Sequence, residues 1–225
     1  MENGNDVNVI KQFDKIASLP DKWDHNQQYQ DYLMKNISKN CDCILDVGCG
    51  TGELTKKLTL FGKEIIGIDI SENMLYEAKR RNYDEKISYI KTSVENYLEQ
   101  TDKKFDIIIS IAALHHMSEE KILKRMKNKL TENGKILILD LVQDKTITDY
   151  FLSIIAAIVN PLFMLLMNGR LRVSKSEREA WAGHFQYDKY LSIIEVRNIA
   201  KKVLGKARIK RHLFWRYLLI YNNGK

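Results

Sequence analysis

Residues 43–54, CILDVGCGTGEL, constrain the fold of this chain more than any other stretch. An aliphatic run leads straight into glycines at 48, 50 and 52, and helix-forming residues follow. Glycine at such a turn permits positive φ and lets a ligand approach the backbone closely. The helix beyond it offers unpaired N–H groups at its start. A second aliphatic run ends at Asp69, where a carboxylate suits the two hydroxyls of a ribose. The dinucleotide pattern G-x-G-x-x-G requires glycine at 53, and Glu53 stands there. A carboxylate at a helix start also opposes a pyrophosphate. Asp46, just before the first glycine, suits an ammonium rather than a phosphate. A ligand with adenosine at one end and an amino acid at the other satisfies both acids.

Short β-branched runs alternate with helix-length amphipathic stretches, the pattern of successive strand–helix units. Strands are expected at 43–47, 64–68, 87–91, 105–110 and 135–141, with two final paired runs at 207–212 and 215–221. Helices are expected at 10–19, 27–37, 53–59, 72–81, 119–130 and 188–204. No linker divides the chain. The expectation is a single domain over 1–225, with a helical cap at 1–40 and a helical insert at 143–187 over the substrate side.

With these elements in place, Asp46-x-Gly-x-Gly-x-Gly52, Asp69 and FDIIISIAALHHM (105–117) resemble the class I S-adenosylmethionine-dependent methyltransferases. Within that group the likeness is to small-molecule enzymes broadly similar to the ubiquinone and menaquinone methyltransferases. The resemblance implies a Rossmann-like, doubly wound seven-stranded sheet, mostly parallel with a carboxyl-terminal antiparallel hairpin, and S-adenosylmethionine as cofactor. It puts Gly48 and Gly50 against the methionine part and Asp46 at its amino group, directly or through water. It gives Asp69 the ribose hydroxyls and Ile70 the adenine. Ser93 stands where the family has an acid facing the adenine amine, with Val94 beside it. Ile111 would line the cofactor near the methyl group.

Methyl transfer is an in-line displacement at an activated carbon, so alignment and exclusion of water are the protein's main tasks. A base is required only when the nucleophile arrives protonated. His115 and His116 follow the fourth expected strand, and either is a candidate base or a packing residue. Tyr29 and His25 belong to an amino-terminal stretch that either lines the reaction centre or forms an ordinary polar helix start. Trp181, His184 and Phe185 either shape an acceptor pocket or mark a surface-to-core transition. A Pro-Pro motif after the fourth strand, used on DNA amines, is ruled out because the only prolines are Pro20 and Pro161. All three cysteines, Cys41, Cys43 and Cys49, crowd the first strand, far from where a pyrimidine-methylating nucleophile would sit. An odd, clustered set makes no disulfide framework, and no metal site is expected.

Charge is uneven. The whole chain carries +7, but residues 170–225 hold 14 Lys/Arg against 4 Asp/Glu. This piece either serves an anionic partner or is a solvated face. RNA methylation is the alternative function it supports, with a non-catalytic cofactor-binding protein as a third class. A small-molecule acceptor is preferred and nucleic acid is not expected, because the basic residues fall on an edge helix and hairpin. Residues 150–167 (YFLSIIAAIVNPLFMLLM) are almost uncharged and broken by Asn160-Pro161. Two short helices are expected there, buried in the core, in a homodimer face or over an apolar substrate. Interfacial contact with a membrane is the remaining alternative, since Arg170 and Arg172 follow at once, but stable membrane insertion is not expected. The polar start (MENG) is not of signal-peptide type, and a cytoplasmic location is expected.

Overall fold

The computed structural model describes residues 16–17, 25–169, 174–175, 178 and 190–224. The expected helix at 10–19 and the Trp181–Phe185 cluster lie largely or wholly outside them. In chain order the elements are α1 (His25–Met34), β1 (Cys41–Val47), α2 (Glu53–Leu58), β2 (Gly62–Asp69), α3 (Glu72–Arg81), β3 (Ile87–Lys91) and α4 (Val94–Gln100). They continue with β4 (Phe105–Ile111), a short 3₁₀ turn (Leu114–His116), α5 (Glu119–Asn128), β5 (Leu130–Leu141) and α6 (Ile147–Asn168). The described chain closes with α7 (Ile193–Val203), β6 (Ala207–His212) and β7 (Arg216–Asn222).

One seven-stranded sheet runs in the order β3-β2-β1-β4-β5-β7-β6. β1 to β5 are parallel, and β7 lies antiparallel between β5 and β6. This is the doubly wound sheet with an antiparallel hairpin that the sequence predicts. Side-chain alternation explains why its strands are aliphatic on both sides. Leu45, Val47, Ile66, Ile68, Ile108 and Ile136 pack into the core layer that includes α4, α5 and α7. Ile44, Ile65, Ile107, Ile109, Leu137 and Leu139 pack with α1 and α2 on the other face. Parallel strands covered on both faces require such near-continuous hydrophobic runs. Chain direction across the sheet reverses between β1 and β4. Ligands of open α/β sheets bind outside the carboxyl ends of the strands at such a reversal.

The structure corrects the sequence reading at three places. Helix α4 was not expected: it is seven residues long and buries only Val94 and Leu98. β5 begins at Leu130 rather than 135, reaching it through a register irregularity opposite Phe105 and Ile107. The apolar stretch forms one helix of 22 residues, with Pro161 inside it. A capping box, in which Thr146 and Asp149 bond each other's backbone, starts that helix, and Gly169 in the left-handed region ends it. Pro161 leaves the Ala157 carbonyl without its helical donor, but both residues are exposed, so the loss falls at the surface. Nor is the helix core-like: its only buried residues are Asp149 and Ala156.

Candidate active site at the strand carboxyl ends

The loop after β1 turns on three glycines in the left-handed region, Gly48 (φ 70), Gly50 (φ 52) and Gly52 (φ 79). A β-carbon on Gly48 would lie 2.4 Å from the Ala113 β-carbon, so the loops after β1 and β4 touch at the sheet reversal. A β-carbon on Gly50 would meet nothing within 4 Å, which leaves space beside the middle of the loop. Asp69 at the end of β2 organises that middle. One of its carboxylate oxygens accepts the Gly50 N–H at 2.9 Å, and the other accepts the Ser71 N–H at 2.9 Å. Asp69 and Ile70 are half-buried.

Asp46 lies beneath the loop rather than facing out from it. It is buried, and the Thr55 hydroxyl from α2 donates to its Oδ2 at 2.7 Å. Burial pushes its carboxyl up to about 7; the Thr55 bond opposes this rise and the Asp69 charge adds to it. Cys49 is buried as well, with its thiol raised by burial and by Asp46 and Asp69. A neutral thiol is a poor nucleophile.

Ser93 caps α4, its hydroxyl accepting the Asn96 N–H at 3.2 Å. Val94 is buried in the core. The resemblance puts both at the cofactor; the helix that starts here takes Ser93 as its cap and Val94 as a core anchor. Ile111 ends β4 half-buried and packs on the α1 side of the sheet. Ala112 follows it with φ 52, a conformation rare for a residue with a side chain. Its N–H reaches the Leu139 carbonyl at 2.8 Å, which ties the strained turn to β5.

Three residues on, His115 is buried and paired with Asp140 at the end of β5. Its Nδ1 lies 2.6 Å from Asp140 Oδ1, and its backbone N–H donates to Asp140 Oδ2 at 3.1 Å. Glu119 is buried nearby; burial first and the Asp140 charge second push its carboxyl up to about 7. The Tyr190 ring lies 5.2 Å from the His115 ring. His116 sits in the same 3₁₀ turn. Asp140, Glu119, Thr55 and Ala112 were all missed from sequence. Only strand register puts Asp140 opposite the turn after β4, and no local pattern announces it.

Helix α1 bridges the two ends of this edge. Gln27 donates to both carboxylate oxygens of Glu53 (3.1 and 2.9 Å), and Lys57 donates to Gln30 (2.7 Å), which fixes α1 to the helix after the glycine loop. On its other side, Tyr29 donates to the Leu213 carbonyl at 3.4 Å, and its ring lies 4.8 Å from the His212 ring. His25 stacks on Phe214 at 4.0 Å, and Phe163 of α6 meets Phe214 edge-on at 5.8 Å. Burial, with Arg216 adding to it, lowers His25 to about 4 while a bond to Asn160 opposes the shift, so the ring is neutral at ordinary pH. The structure thus joins Tyr29 and His25 to the β6–β7 turn and sets His115 apart with Asp140. The basic carboxyl-terminal piece is partly neutralised: Arg211 is buried against Asp144 (3.1 Å) and Asp149 (3.4 Å), and Lys202 pairs with Glu120.

Residues 45–138 match the family model described as a methyltransferase domain. A ubiquinone biosynthesis O-methyltransferase of Nitrosococcus oceani is 28% identical over 165 residues, covering 68% of this chain and 68% of that protein. The same-named protein of Dechloromonas aromatica is 32% identical over 119 residues, 47% of this chain; the chain spans 51% of its length. Among solved structures, the N-methyltransferase NodS of Bradyrhizobium japonicum, in complex with S-adenosyl-L-homocysteine, superposes with a TM-score of 0.64 at 15% identity. That match covers 97% of this chain and 100% of NodS. The plantazolicin methyltransferase BpumL, in complex with a monoazolic desmethylPZN analog and S-adenosyl-L-homocysteine, has a TM-score of 0.60 at 17% identity, covering 98% of this chain and 88% of BpumL.

Proposed function

We propose that this chain, which belongs to the class I S-adenosylmethionine-dependent methyltransferases, moves a methyl group to an oxygen of a small apolar acceptor. The observation that carries the reading is the Asp69–Gly50 bond at the sheet reversal: a half-buried acid and an open, left-handed glycine loop held as one unit. These residues fit the cofactor. Asp69 is a half-buried carboxylate of the kind that ribose hydroxyls bond, Ile70 offers an apolar surface for adenine, and the Gly48–Gly50 backbone leaves room for the methionine part. Asp46 acts through Thr55, setting the loop rather than touching the ligand.

When bound, S-adenosylmethionine supplies a methyl group on positively charged sulfur, activated for in-line displacement. The protein's part is to align the acceptor and keep water out. Ile111 and the strained Ala112 turn form the wall nearest the loop. His115 is a positioning residue: Asp140 grips both its ring and its backbone, which fixes the turn after β4 against β5. The acceptor rests against the half-buried rings of His25, Tyr29 and Phe163, which α1 and α6 hold around the buried Phe214 of the β6–β7 turn. The named O-methyltransferases among the relatives support oxygen as the methylated atom and a quinone-precursor-like phenol as the acceptor class.

Incubating the full chain with methyl-labelled S-adenosylmethionine and a panel of acceptors tests this. Label is expected on phenols carrying apolar tails, with turnover rising with tail length. Label only on polar catechols would overturn the acceptor class, and label only on RNA would revive the basic-segment alternative.

A further inference from the structure

Helix α6 combines features that neither a core helix nor an ordinary surface helix shows together. Its most apolar 18-residue window has a mean hydropathy of 2.1, yet only 6% of that window is buried. By length and composition it can cross a membrane. Ile147, Phe151, Ile154, Ile158, Leu162 and Leu166 recur every three or four residues and point outward, with Ile147 90% and Ile158 72% exposed. Of the 16 large exposed apolar residues among those described, nine lie on this one helix, so the patch is not general surface apolarity. Asp149, its only charged residue, is buried. The outer face therefore carries no charge over its whole length.

The inner face holds the helix to the domain. Asp149 meets Arg211, Ser153 donates to Asp144, Ala156 is buried, and Phe163 packs on Phe214. Crossing a bilayer would strip these contacts away and leave Arg211 without its acids. Lying along a bilayer surface keeps every one of them. Directly after the helix the sequence reads RLRVSKSER, four cations against one acid, and residues 170–225 carry +10. Lys175 and Arg178 are exposed. An uncharged apolar stripe with cations at its end complements a membrane whose headgroups are anionic.

We propose that α6 is an interfacial membrane anchor, seated lengthwise in the headgroup region of a bilayer containing anionic lipid, with its inner face still on the domain. The proposal does not depend on methyl transfer. It does place Phe163, part of the aromatic platform, on the element that touches the lipid. If the acceptor class above is right, that gives a lipid-dissolved acceptor a short route to the site.

Vesicle flotation of the full chain tests the anchor without any activity readout. Vesicles of phosphatidylcholine alone and of phosphatidylcholine with 30% phosphatidylglycerol by design are compared, the latter at low and high salt. The protein is expected to float with the anionic vesicles and to be partly released by salt. The triple variant Ile154→Gln, Ile158→Gln, Leu162→Gln changes only exposed positions and is expected to float at least tenfold less, with an unchanged melting curve. Arg170→Gln with Arg172→Gln is expected to weaken binding to anionic vesicles and leave binding to neutral ones as it was. Protein that stays soluble with both vesicle types overturns the proposal, as does a triple variant that floats like the parent. A concentration-dependent dimer that the triple variant abolishes, with no flotation, would assign the face to a second copy and equally overturn it.

Discussion

Replacing Gly48 by alanine probes the junction on which the site is built. Two costs add. At φ 70 a residue with a side chain sits in the left-handed region, at about 1–3 kcal/mol. The new β-carbon would also come within 2.4 Å of the Ala113 β-carbon, well inside van der Waals contact, so one of the two loops must shift. Overpacking of this kind costs about 1–3 kcal/mol. The sum, about 2–6 kcal/mol, corresponds in a domain of this size to a fall in Tm of roughly 5–20 °C. Gly50→Ala is the internal control: its φ of 52 carries the same torsional cost, but its β-carbon would meet nothing within 4 Å. Thermal unfolding followed by circular dichroism should rank the stabilities as parent, Gly50→Ala, Gly48→Ala. Adding Ala113→Gly to Gly48→Ala should recover the steric share. Equal destabilisation by the two alanines, or no recovery in the double variant, would refute the contact between the β1 and β4 loops.

Buried acids give a pH signature. The Asp46 carboxyl is raised to about 7 in the folded chain, so the native state binds more protons than the unfolded state between about pH 4 and 7. Its contribution is fully present below the unfolded value and is lost as pH rises through 7. Asp46→Asn should therefore gain stability relative to the parent across that window, by about 2–4 kcal/mol at pH 8; urea midpoints whose difference does not change with pH would contradict this. Asp140→Ala strands both the His115 ring and its backbone N–H in the interior, and should cost about 2–5 kcal/mol in urea unfolding. With His115 a positioning residue, the variant should lower kcat more than it raises KM and leave the shape of the pH–rate profile intact. Loss of the profile's acidic limb would instead make His115 the base.

The sheet was readable in advance because its five parallel strands are covered on both faces and so spell aliphatic runs, punctuated by the glycine turn and by Asp69. Periodicity also placed α3 and the last hairpin, whose alternation survives at the edge. Helix α4 escapes because its two buried residues, Val94 and Leu98, make too short a stripe to stand out. Helix α6 was split on paper because proline forbids one hydrogen bond locally. Its continuity comes from both flanks and an exposed Ala157 carbonyl, neither of which a propensity argument weighs. Asp140 and Glu119 carry no signal of their own. Their significance arises from the β4–β5 register, which brings an acid from residue 140 to the turn at 115. Asp46 was recognised as special, but its burial was not, since depth beneath a loop is a tertiary property.

The most direct test of the central claim is titration calorimetry of S-adenosyl-L-homocysteine against the parent chain and Asp69→Asn. The variant keeps one oxygen to accept the Gly50 N–H, turns its amide NH2 toward the Ser71 N–H and loses the charge that a ribose diol would meet, and melting curves check that it folds. Hydrogen bonds to a charged group contribute about 1.5–3 kcal/mol, so the dissociation constant should rise by roughly 10- to 200-fold, while adenine analogues lacking ribose hydroxyls bind both proteins alike. Undiminished binding by a folded Asp69→Asn would mean that the acid only shapes the loop and that the cofactor site lies elsewhere.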